Sequence, residues 1–435
     1  MVLLRRQPTF GCKHVSAKPR LLAGPVAIAL TLASLPAAGA RDGMHPAPAS
    51  EPTELVTGSS LTATVQQADP GRVDRRRATY RGDLTATLPA PSPAGGQGSV
   101  FGHVRFGRGV GLTTGPAFTG SLNSVAFEQA NGSSFAILAQ LYYQVDMPIQ
   151  AGNGDSGGHV AFTAGKLEPF AFFDQNEVSD DETVGFLNNV FVHNPLLDSG
   201  GDIGADRYGF GPGLRAAWFS GGPHTVGVSF GIFGSGRGAE FSSSPGRPFL
   251  IVQIEVAPRR GDERARGDER AGGGDGRSAG NYRVYAWSNP QAAGLDGSPA
   301  RHAGWGASVD QGIGRDLTVF GRWGRRIRGQ GTFDQALTVG AELLGSAWRR
   351  PRDGLGLAAA RLSPEKGYRL PGSLDDAQDG PVRARGAERI LEIFYRVALA
   401  DGIEVSPGFQ ILNRAAGEPS APTQRVFGVR LKLSF

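Results

Sequence analysis

The sequence predicts an all-β protein: a transmembrane antiparallel β-barrel of about sixteen strands with one long connection folded inward. Glycine accounts for 66 of 435 residues, about twice its average share. Short aromatic and β-branched runs recur every 10–25 residues or so, as in proteins built from many strands. After Ala40 no window approaches the roughly 18 consecutive apolar residues of a membrane helix. A closed barrel can still cross a bilayer, because it pairs every backbone polar group.

The N-terminal residues have the pattern of a secretory signal peptide. A basic stretch precedes the apolar run Leu21–Leu35, and small residues precede Arg41. We therefore expect residues 1–40 to be a signal peptide cleaved after Ala40. A periplasmic extension, residues 41–55, and an outer-membrane barrel, residues 56–435, would follow.

Charge and cysteine content exclude several classes of function. Five of the 45 basic residues lie before Arg41, so 40 remain against 40 acidic residues. A formally neutral mature chain gives no reason to expect nucleic-acid binding. The single cysteine, Cys12, also lies before the cleavage point, so neither disulfides nor thiolate chemistry are expected.

Strand-like segments of about nine to eleven residues, the length that crosses the hydrocarbon, follow in order along the chain. The sixteen candidates are Leu61–Ala68, Tyr80–Leu88, Val100–Arg108, Phe135–Met147, Gly158–Leu167, Tyr208–Phe219, His224–Gly234, Pro248–Ala257, Asn281–Asn289, Gly304–Ile313, Leu317–Arg325, Gln335–Gly345, Gly354–Leu362, Arg389–Leu399, Ile403–Leu412 and Arg425–Phe435. The even number fits a bacterial barrel.

Connection lengths alternate along the chain. Connections after odd-numbered candidates are mostly long, at 110–134, 168–207, 235–247, 290–303 and 364–388, whereas those after strands 6, 10 and 14 are short. This alternation predicts long external loops, short periplasmic turns and both termini in the periplasm. The charged segment 258–280, with its doubled GDERA, departs from the pattern and is predicted to be a disordered loop.

The last strand shows the two-faced pattern of a membrane barrel. Phe427, Val429 and Leu431 fall on one face, and Arg430 and Lys432 on the other. A soluble sandwich would show the same alternation with the charges outside. The terminal aromatic residue, Phe435, favours the barrel, because outer-membrane assembly machinery reads such an ending.

The same alternation assigns polar side chains to the lumen. The candidates for the pore lining are Arg105, Glu255, Arg283, Glu342, Glu392, Arg396 and Arg430, together with His103, Gln253, Glu388, Glu404 and Gln410. Arginines facing carboxylates would impose a transverse field and bind hydroxyl pairs. The alternative is that these groups pair with one another inside the barrel for structural reasons.

Two aromatic residues share the face of Arg283. Tyr285 and Trp287 are candidates for stacking against the CH face of a sugar, with Trp323 a weaker one. The alternative assignment is the aromatic girdle at the membrane interface.

The connection from Glu168 to Asp206 is too apolar to be a solvated loop and is predicted to fold inward and narrow the channel. Its constriction candidates are Phe170, Phe172, Phe173, Asp174, Asn176 and Asn188. Asp198, Asp202 and Asp206 lack the spacing of a calcium loop, so a turn-rich loop is the favoured interpretation. No nucleophile or metal motif is present; neither an enzyme nor a cofactor is expected, and His193 is interpreted as structural.

Several long stretches resemble the carbohydrate-selective porins of the OprB type. They include AGKLEPFAFFDQNEVSDDET from Ala164, FLNNVFVHNPLLDSGGDIGADRYGFGPGLR from Phe186 and the ending VFGVRLKLSF. The resemblance runs from about Val56 to Phe435. It implies a sixteen-stranded porin of the bacterial outer membrane that passes mono- and small oligosaccharides by passive diffusion.

The partners expected on this basis are small sugars, outer-membrane lipid and the assembly machinery, with a homotrimer as one oligomeric state. A general small-solute porin and a sealed structural barrel remain alternatives.

Overall fold

A computed structural model gives the fold. It describes residues 54–69, 76–93, 95–112, 116–126, 133–150, 156–221, 224–235, 246–258, 280–295, 298–366, 368 and 386–435. These residues all belong to one compact unit, Gly39–Phe435. Among them, no helix has the length and apolar character needed to span a bilayer. The predicted signal peptide, residues 1–40, lies outside the described residues and stays a prediction.

Strands make up nearly all of the regular structure. They are β1 Val56–Ala68, β2 Arg76–Ala90, β3 Gln97–Arg108, β4 Ser134–Gln150, β5 Ser156–Leu167, β6 Gly211–Ser220, β7 His224–Phe233, β8 Phe249–Pro258, β9 Gly280–Ala293, β10 Pro299–Ile313, β11 Leu317–Arg328, β12 Phe333–Gly345, β13 Arg350–Pro364, β14 Glu388–Ala400, β15 Ile403–Asn413 and β16 Gln424–Ser434. One helical turn, α1, spans Asn189–Val192, and short 3-10 turns lie at Pro169–Ala171, Ser346–Trp348 and Ala415–Gly417.

The sixteen strands form a closed antiparallel barrel in which each strand pairs with its neighbours in the sequence. The sheet closes where β1 meets β16, with Val65 opposite Val429 and Ser60 opposite Ser434. Closure leaves no strand edge with unpaired backbone groups, which is what a spanning sheet requires. The predicted fold class and strand number are confirmed.

Two predicted boundaries were wrong. Residues 290–303 are not a long connection, because β9 continues to Ala293 and β10 begins at Pro299. The hydrogen bond from Gly294 N to Ser298 O, 2.8 Å, closes a tight hairpin there. Strand β6 begins at Gly211 rather than at Tyr208, because Asp206 caps a turn by accepting a 2.8 Å bond from Tyr208 N. The charged segment at 258–280 lies almost entirely outside the described residues.

Side chains alternate between an apolar outer face and a polar inner face. On β8, Val252 and Ile254 are 41% and 55% exposed, whereas Gln253 and Glu255 are buried. On β16, Phe427 is 60% exposed and Arg430 only 1%. This inversion relative to a soluble protein confirms the faces predicted for the last strand, and it suits an outer surface that contacts lipid.

The largest apolar cluster lies on the inner side of the sheet. It joins aromatic residues from the connection between β5 and β6 to rings on the strands, with Phe186 against Phe320 and Phe394 at centroid distances of 5.6 and 5.0 Å. The connection is thus packed against the wall by apolar burial.

Candidate functional site in the barrel interior

Two connections contact the inner face of the barrel. We call residues 168–210 the β5–β6 segment and residues 116–126 the β3–β4 segment. Asp174 N donates to Gln253 on β8 at 2.9 Å, and Asn188 Nδ2 donates to Gln410 on β15 at 3.2 Å. Gln66 on β1 donates to Leu122 O at 2.9 Å. The two segments therefore hydrogen-bond to strands far apart around the barrel.

Buried arginines on the strands bind main-chain carbonyls of the β5–β6 segment. Arg322 donates to Asp174 O at 2.9 Å and to Phe191 O at 3.0 Å. Arg430 donates to Val184 O at 2.7 Å and to Gly185 O at 2.6 Å. Each guanidinium offers five donors in a fixed fork, so one side chain secures several carbonyls that regular secondary structure leaves unpaired.

Further arginines do the same from other strands. Arg283 donates to Gln175 O at 3.0 Å and pairs with Asp310 at 3.1 Å. Arg396 donates to Val184 O at 3.0 Å and pairs with Glu342. These side chains hold the segment and balance their own charges at the same time.

Two buried carboxylates on β14 bind main-chain amides. Glu392 accepts from Leu187 N at 2.7 Å and from Asn188 N at 2.9 Å. Glu388 accepts from Phe118 N and Ala416 N, both at 2.7 Å, and from Thr119 N at 2.8 Å. Charge-assisted bonds of this kind are the strong ones, so β14 anchors both segments.

Asp174 is the centre of one anchoring cluster. It has a left-handed backbone, φ 61°, and its carboxylate accepts from Tyr285 Oη and from Asn194 N, both at 2.6 Å. Arg322 Nε lies 3.2 Å from it. Burial raises the pKa of Asp174, although Arg322 and the bond from Tyr285 oppose the shift.

A second cluster surrounds Asp202, which is fully buried. It accepts from Trp287 Nε1 at 3.1 Å and from Arg326 at 2.9 and 3.0 Å. His302 Nδ1 lies 2.7 Å away. Tyr285 and Trp287 therefore point inward, away from the membrane interface, and their polar ends bond to the β5–β6 segment.

Glycines allow the segment to approach the wall closely. A Cβ placed on Gly324 of β11 would lie 2.6 Å from Asn194 Oδ1, and one on Gly306 of β10 would lie 2.7 Å from Asn194 Nδ2. Both are closer than real Cβ contacts. The asparagine uses this space to donate to Tyr285 Oη at 2.7 Å.

Strands β2 and β3 carry charges that the segments leave partly exposed. Asp83 is bound by Arg81 Nε at 2.8 Å and by Arg105 Nε at 2.7 Å, and His103 Nε2 lies 2.9 Å away. Arg81 also donates to Glu182 of the β5–β6 segment. The side chains of Asp83, Arg105 and Glu182 remain 11–13% exposed, so solvent reaches this cluster.

An arginine beside aromatic rings lies on β6. The Arg215 guanidinium is 5.0 Å from the centre of the Phe172 ring and 5.7 Å from that of Phe219. Phe172 in turn meets Tyr142 of β4 edge-on at 5.8 Å. Arg215 Nη2 donates to Ser229 at 3.2 Å, whereas its Nε and Nη1 find no hydrogen-bond acceptor within the described part of the chain.

The acidic edge of the β5–β6 segment is partly exposed. Asp181 has a side chain 53% exposed, 3.9 Å from Lys432 on β16. Asp180 and Glu182, beside it, are partly exposed, whereas Phe186 to Val192 are buried. A carboxylate edge therefore faces arginines and a lysine on the wall.

The sequence-predicted residues fall into two groups. The twelve polar pore-lining candidates all lie on the inner face, as do Tyr285 and Trp287. Arg105 and Glu404 are partly exposed, and the others are buried: His103, Gln253, Glu255, Arg283, Tyr285, Trp287, Glu342, Glu388, Glu392, Arg396, Gln410 and Arg430. Among the constriction candidates, Asp174, Asn176 and Asn188 are hydrogen-bonded to the wall, and Phe172 and Phe173 are buried against it. Their role in solute passage stays a prediction.

Four residues on this side of the interior were not predicted: Arg81, Asp83 and Arg215 on the strands, and Glu182 in the β5–β6 segment. The signal was present for the strand residues, because Arg81 and Asp83 alternate with Tyr80, Gly82 and Leu84, and Arg215 lies between Leu214 and Ala216. Glu182 belongs to an irregular segment, where no periodicity applies.

Comparison with known proteins gives similarity in both sequence and fold. Porin AaxA of Chlamydia abortus is 25% identical over 156 residues, 36% of this chain and 32% of that protein, so the match spans about a third of the relative's length. The high-pH structure of Pseudomonas putida OprB superimposes with a TM-score of 0.65 at 16% identity, covering 88% of this chain and 94% of that one. That structural likeness shows the same barrel fold.

The family match covers most of the described barrel. Residues 114–435 match the family described as carbohydrate-selective porin, OprB family. This span runs from the β3–β4 segment through the last strand and includes both anchoring clusters. Family and fold together indicate a channel rather than an enzyme. The chain therefore belongs to the OprB family of carbohydrate-selective porins.

Proposed function

We propose that this chain is a porin of the bacterial outer membrane through which small carbohydrates diffuse passively into the periplasm. The observation that carries the proposal is the contrast between two sides of the interior. The wall formed by β8–β16 is bonded to the β5–β6 segment, whereas β2–β6 present partly exposed charges and aromatic rings. Solute would pass along this second side.

The chemistry of that side suits a sugar. A pyranose can place its CH face on the partly exposed ring of Tyr142, while its hydroxyls bond to neighbouring polar groups of the barrel. Asp83 and Arg105 stand where solvent reaches them. Arg215 is buried, and its Nε and Nη1 have no acceptor among the described residues. Hydroxyls would exchange bonds to water for bonds to Asp83 and Arg105 at little net cost, and they would supply an acceptor to Arg215.

The β5–β6 segment would set the width of the passage and the electric field across it. In its acidic edge at Asp180–Glu182, Glu182 is bonded to Arg81 and Asp181 lies 3.9 Å from Lys432. Opposed charges orient dipolar solutes and retard ions, so a neutral hydroxylated solute passes with less penalty than a charged one. Binding must stay weak, because a tightly held sugar would not be released.

Export and assembly follow from the same proposal. The last residue, Phe435, is 65% exposed, and its N–H donates to Ser59 O at 3.0 Å where β16 closes on β1. We propose that this ending engages the outer-membrane assembly machinery and that the folded barrels associate as trimers. Cross-linking of the purified protein in detergent would count the subunits.

Single-channel conductance in planar bilayers tests the function. We expect open channels whose current falls in a dose-dependent manner with glucose and with maltose, and less with a charged solute of similar size. Open channels indifferent to neutral sugars would indicate a general diffusion porin. Absence of conductance from correctly folded protein would indicate a sealed barrel.

A matched pair of variants locates the passage. Arg215→Gln removes the guanidinium beside the rings of Phe172 and Phe219. We expect the apparent affinity with which sugars block the channel current (the sugar block) to fall about three- to tenfold, which corresponds to the loss of roughly one hydrogen bond. Arg207→Gln removes the same charge from an exposed turn and should leave the block unchanged. Equal effects of both changes would contradict a passage beside Arg215.

A further inference from the structure

Two arginines face each other on the outer surface of the barrel. Arg361 of β13 and Arg389 of β14 are directly opposite in the strand register, and both are exposed. Neither side chain makes a hydrogen bond or an ion pair with any other described residue. Most of their neighbours on the same face are apolar: Leu337 lies opposite Arg361 in β12, and Ala359 and Leu391 lie two positions further along the strands. Asn413 of β15 lies opposite Arg389.

This arrangement is unfavourable without a counter-ion. Like charges at directly opposed positions of a sheet repel each other, and arginine on the lipid-facing side of a barrel loses hydration. Several arginines on the inner face have such a partner, as Arg396 has in Glu342. An anion placed between Arg361 and Arg389 would satisfy both guanidinium forks together.

The position along the strands indicates where that anion comes from. Arg361 lies three residues before the end of β13 at Pro364, and Arg389 is the second residue of β14. These ends meet at the connection 365–387, one of the long connections that barrels place outside the cell. At about 3.4 Å per residue, both side chains lie within roughly 10 Å of the strand ends, near the headgroup level of the outer leaflet.

An apolar depression lies next to the pair, further into the bilayer. It has a volume of about 340 Å³. Its apolar lining comes from Leu337, Val339, Ala359, Leu391 and Ile411. It exists because Ala359 is small between Val339 and Leu391, its partners in the neighbouring strands. Charge at the rim and an apolar hollow below it match the two ends of a phosphorylated lipid.

We propose that Arg361 and Arg389 bind the phosphate of a phosphorylated glycolipid of the outer leaflet, with one acyl chain lying in the depression. The inference rests on the outer-membrane placement proposed above, but not on sugar passage, because the site is on the outside of the barrel. Arginine suits this task because its planar fork binds phosphate in a bidentate manner.

Native mass spectrometry of the refolded protein in detergent, titrated with diphosphoryl lipid A, tests the proposal. We expect one lipid per barrel, and at least a tenfold weaker affinity for the R361Q/R389Q double variant. The R361K/R389K variant keeps the charge but loses the fork, and should bind about three- to tenfold more weakly than the wild type.

A matched control pair is present at the same end of the barrel. Arg301 of β10 and Arg328 of β11 are exposed and have no ion pair among the described residues, but they do not face the depression. R301Q/R328Q should bind lipid A within about twofold of the wild type. Equal loss in both double variants, no lipid bound by the wild type, or inorganic phosphate bound as tightly as lipid A would each overturn the proposal.

Sugar block measured in parallel separates this inference from the proposed function. R361Q/R389Q should retain wild-type sugar block while losing lipid A. If the wild type binds lipid A but sugars do not reduce its current, the lipid site is supported and only the proposed carbohydrate channel is refuted.

Discussion

Replacing Gly324 by alanine should loosen the β5–β6 segment without disturbing the barrel. The new Cβ would lie 2.6 Å from Asn194 Oδ1 and 2.7 Å from Nδ2, so the asparagine must move by about half an ångström. Asn194 Oδ1 accepts from Leu196 N at 3.0 Å, and its Nδ2 donates to Tyr285 Oη at 2.7 Å. The displacement therefore acts on two buried hydrogen bonds.

The magnitude follows from these contacts. Losing one or two hydrogen bonds costs about 1 kcal/mol each, and overpacking adds about 1–3 kcal/mol. Alanine is more favourable than glycine in a strand by about 0.5–1 kcal/mol, which offsets part of this cost. The net effect is about 2 kcal/mol on local opening of the segment, which corresponds to roughly thirtyfold faster exchange of its protected amides.

Gly321 supplies the control, because it lies on the same strand but faces outward. Its Cβ would come no closer than 3.8 Å to Thr338 O, an ordinary contact. Hydrogen exchange measured by mass spectrometry on refolded protein in detergent should show faster exchange of residues 190–200 in G324A, and no acceleration in G321A. Equal exchange in both variants, or a loss of barrel stability in G324A with an unchanged segment, would refute the proposed role of the close approach.

Two further predictions concern the anchors of the β5–β6 segment. Glu392→Gln keeps one acceptor but turns its amide NH2 group towards Leu187 N or Asn188 N, which leaves a buried donor unpaired. Local opening at these two backbone amides should therefore become easier by about 1–3 kcal/mol, measured as faster hydrogen exchange. Unchanged exchange would contradict the anchoring role of Glu392. Burial lowers the pKa of His193, but Asp198, 3.4 Å away, outweighs it and raises the pKa above the ordinary value. The stabilisation by the His193–Asp198 pair is therefore complete below about pH 6.5 and is lost as the pH rises through the raised pKa. In thermal unfolding, His193→Gln should lower the stability of the protein more at about pH 6 than at about pH 9. A loss of stability that does not depend on pH would refute the raised pKa of His193.

Much of the fold could be predicted because its signal is local. Each strand of a membrane barrel faces lipid on one side and the interior on the other, so its period of two is present within a few residues. The pattern of β16 shows this directly, with Phe427 and Arg430 on opposite faces as predicted. The hairpin after β9 was missed because β9 and β10 extend beyond the expected length of a spanning strand.

The sequence by itself determined which side chains face inward, but only the tertiary structure decided what each of them contacts. Arg283 and Arg215 have the same local pattern, yet Arg283 binds Gln175 O and Asp310 whereas Arg215 lies against aromatic rings with two N–H groups lacking an acceptor among the described residues. The difference arises from the path of the β5–β6 segment, which is fixed by contacts between residues distant in the chain, such as Asp174 with Arg322. No periodicity encodes such a path, because it depends on which wall the segment can reach and pack against once the barrel has closed.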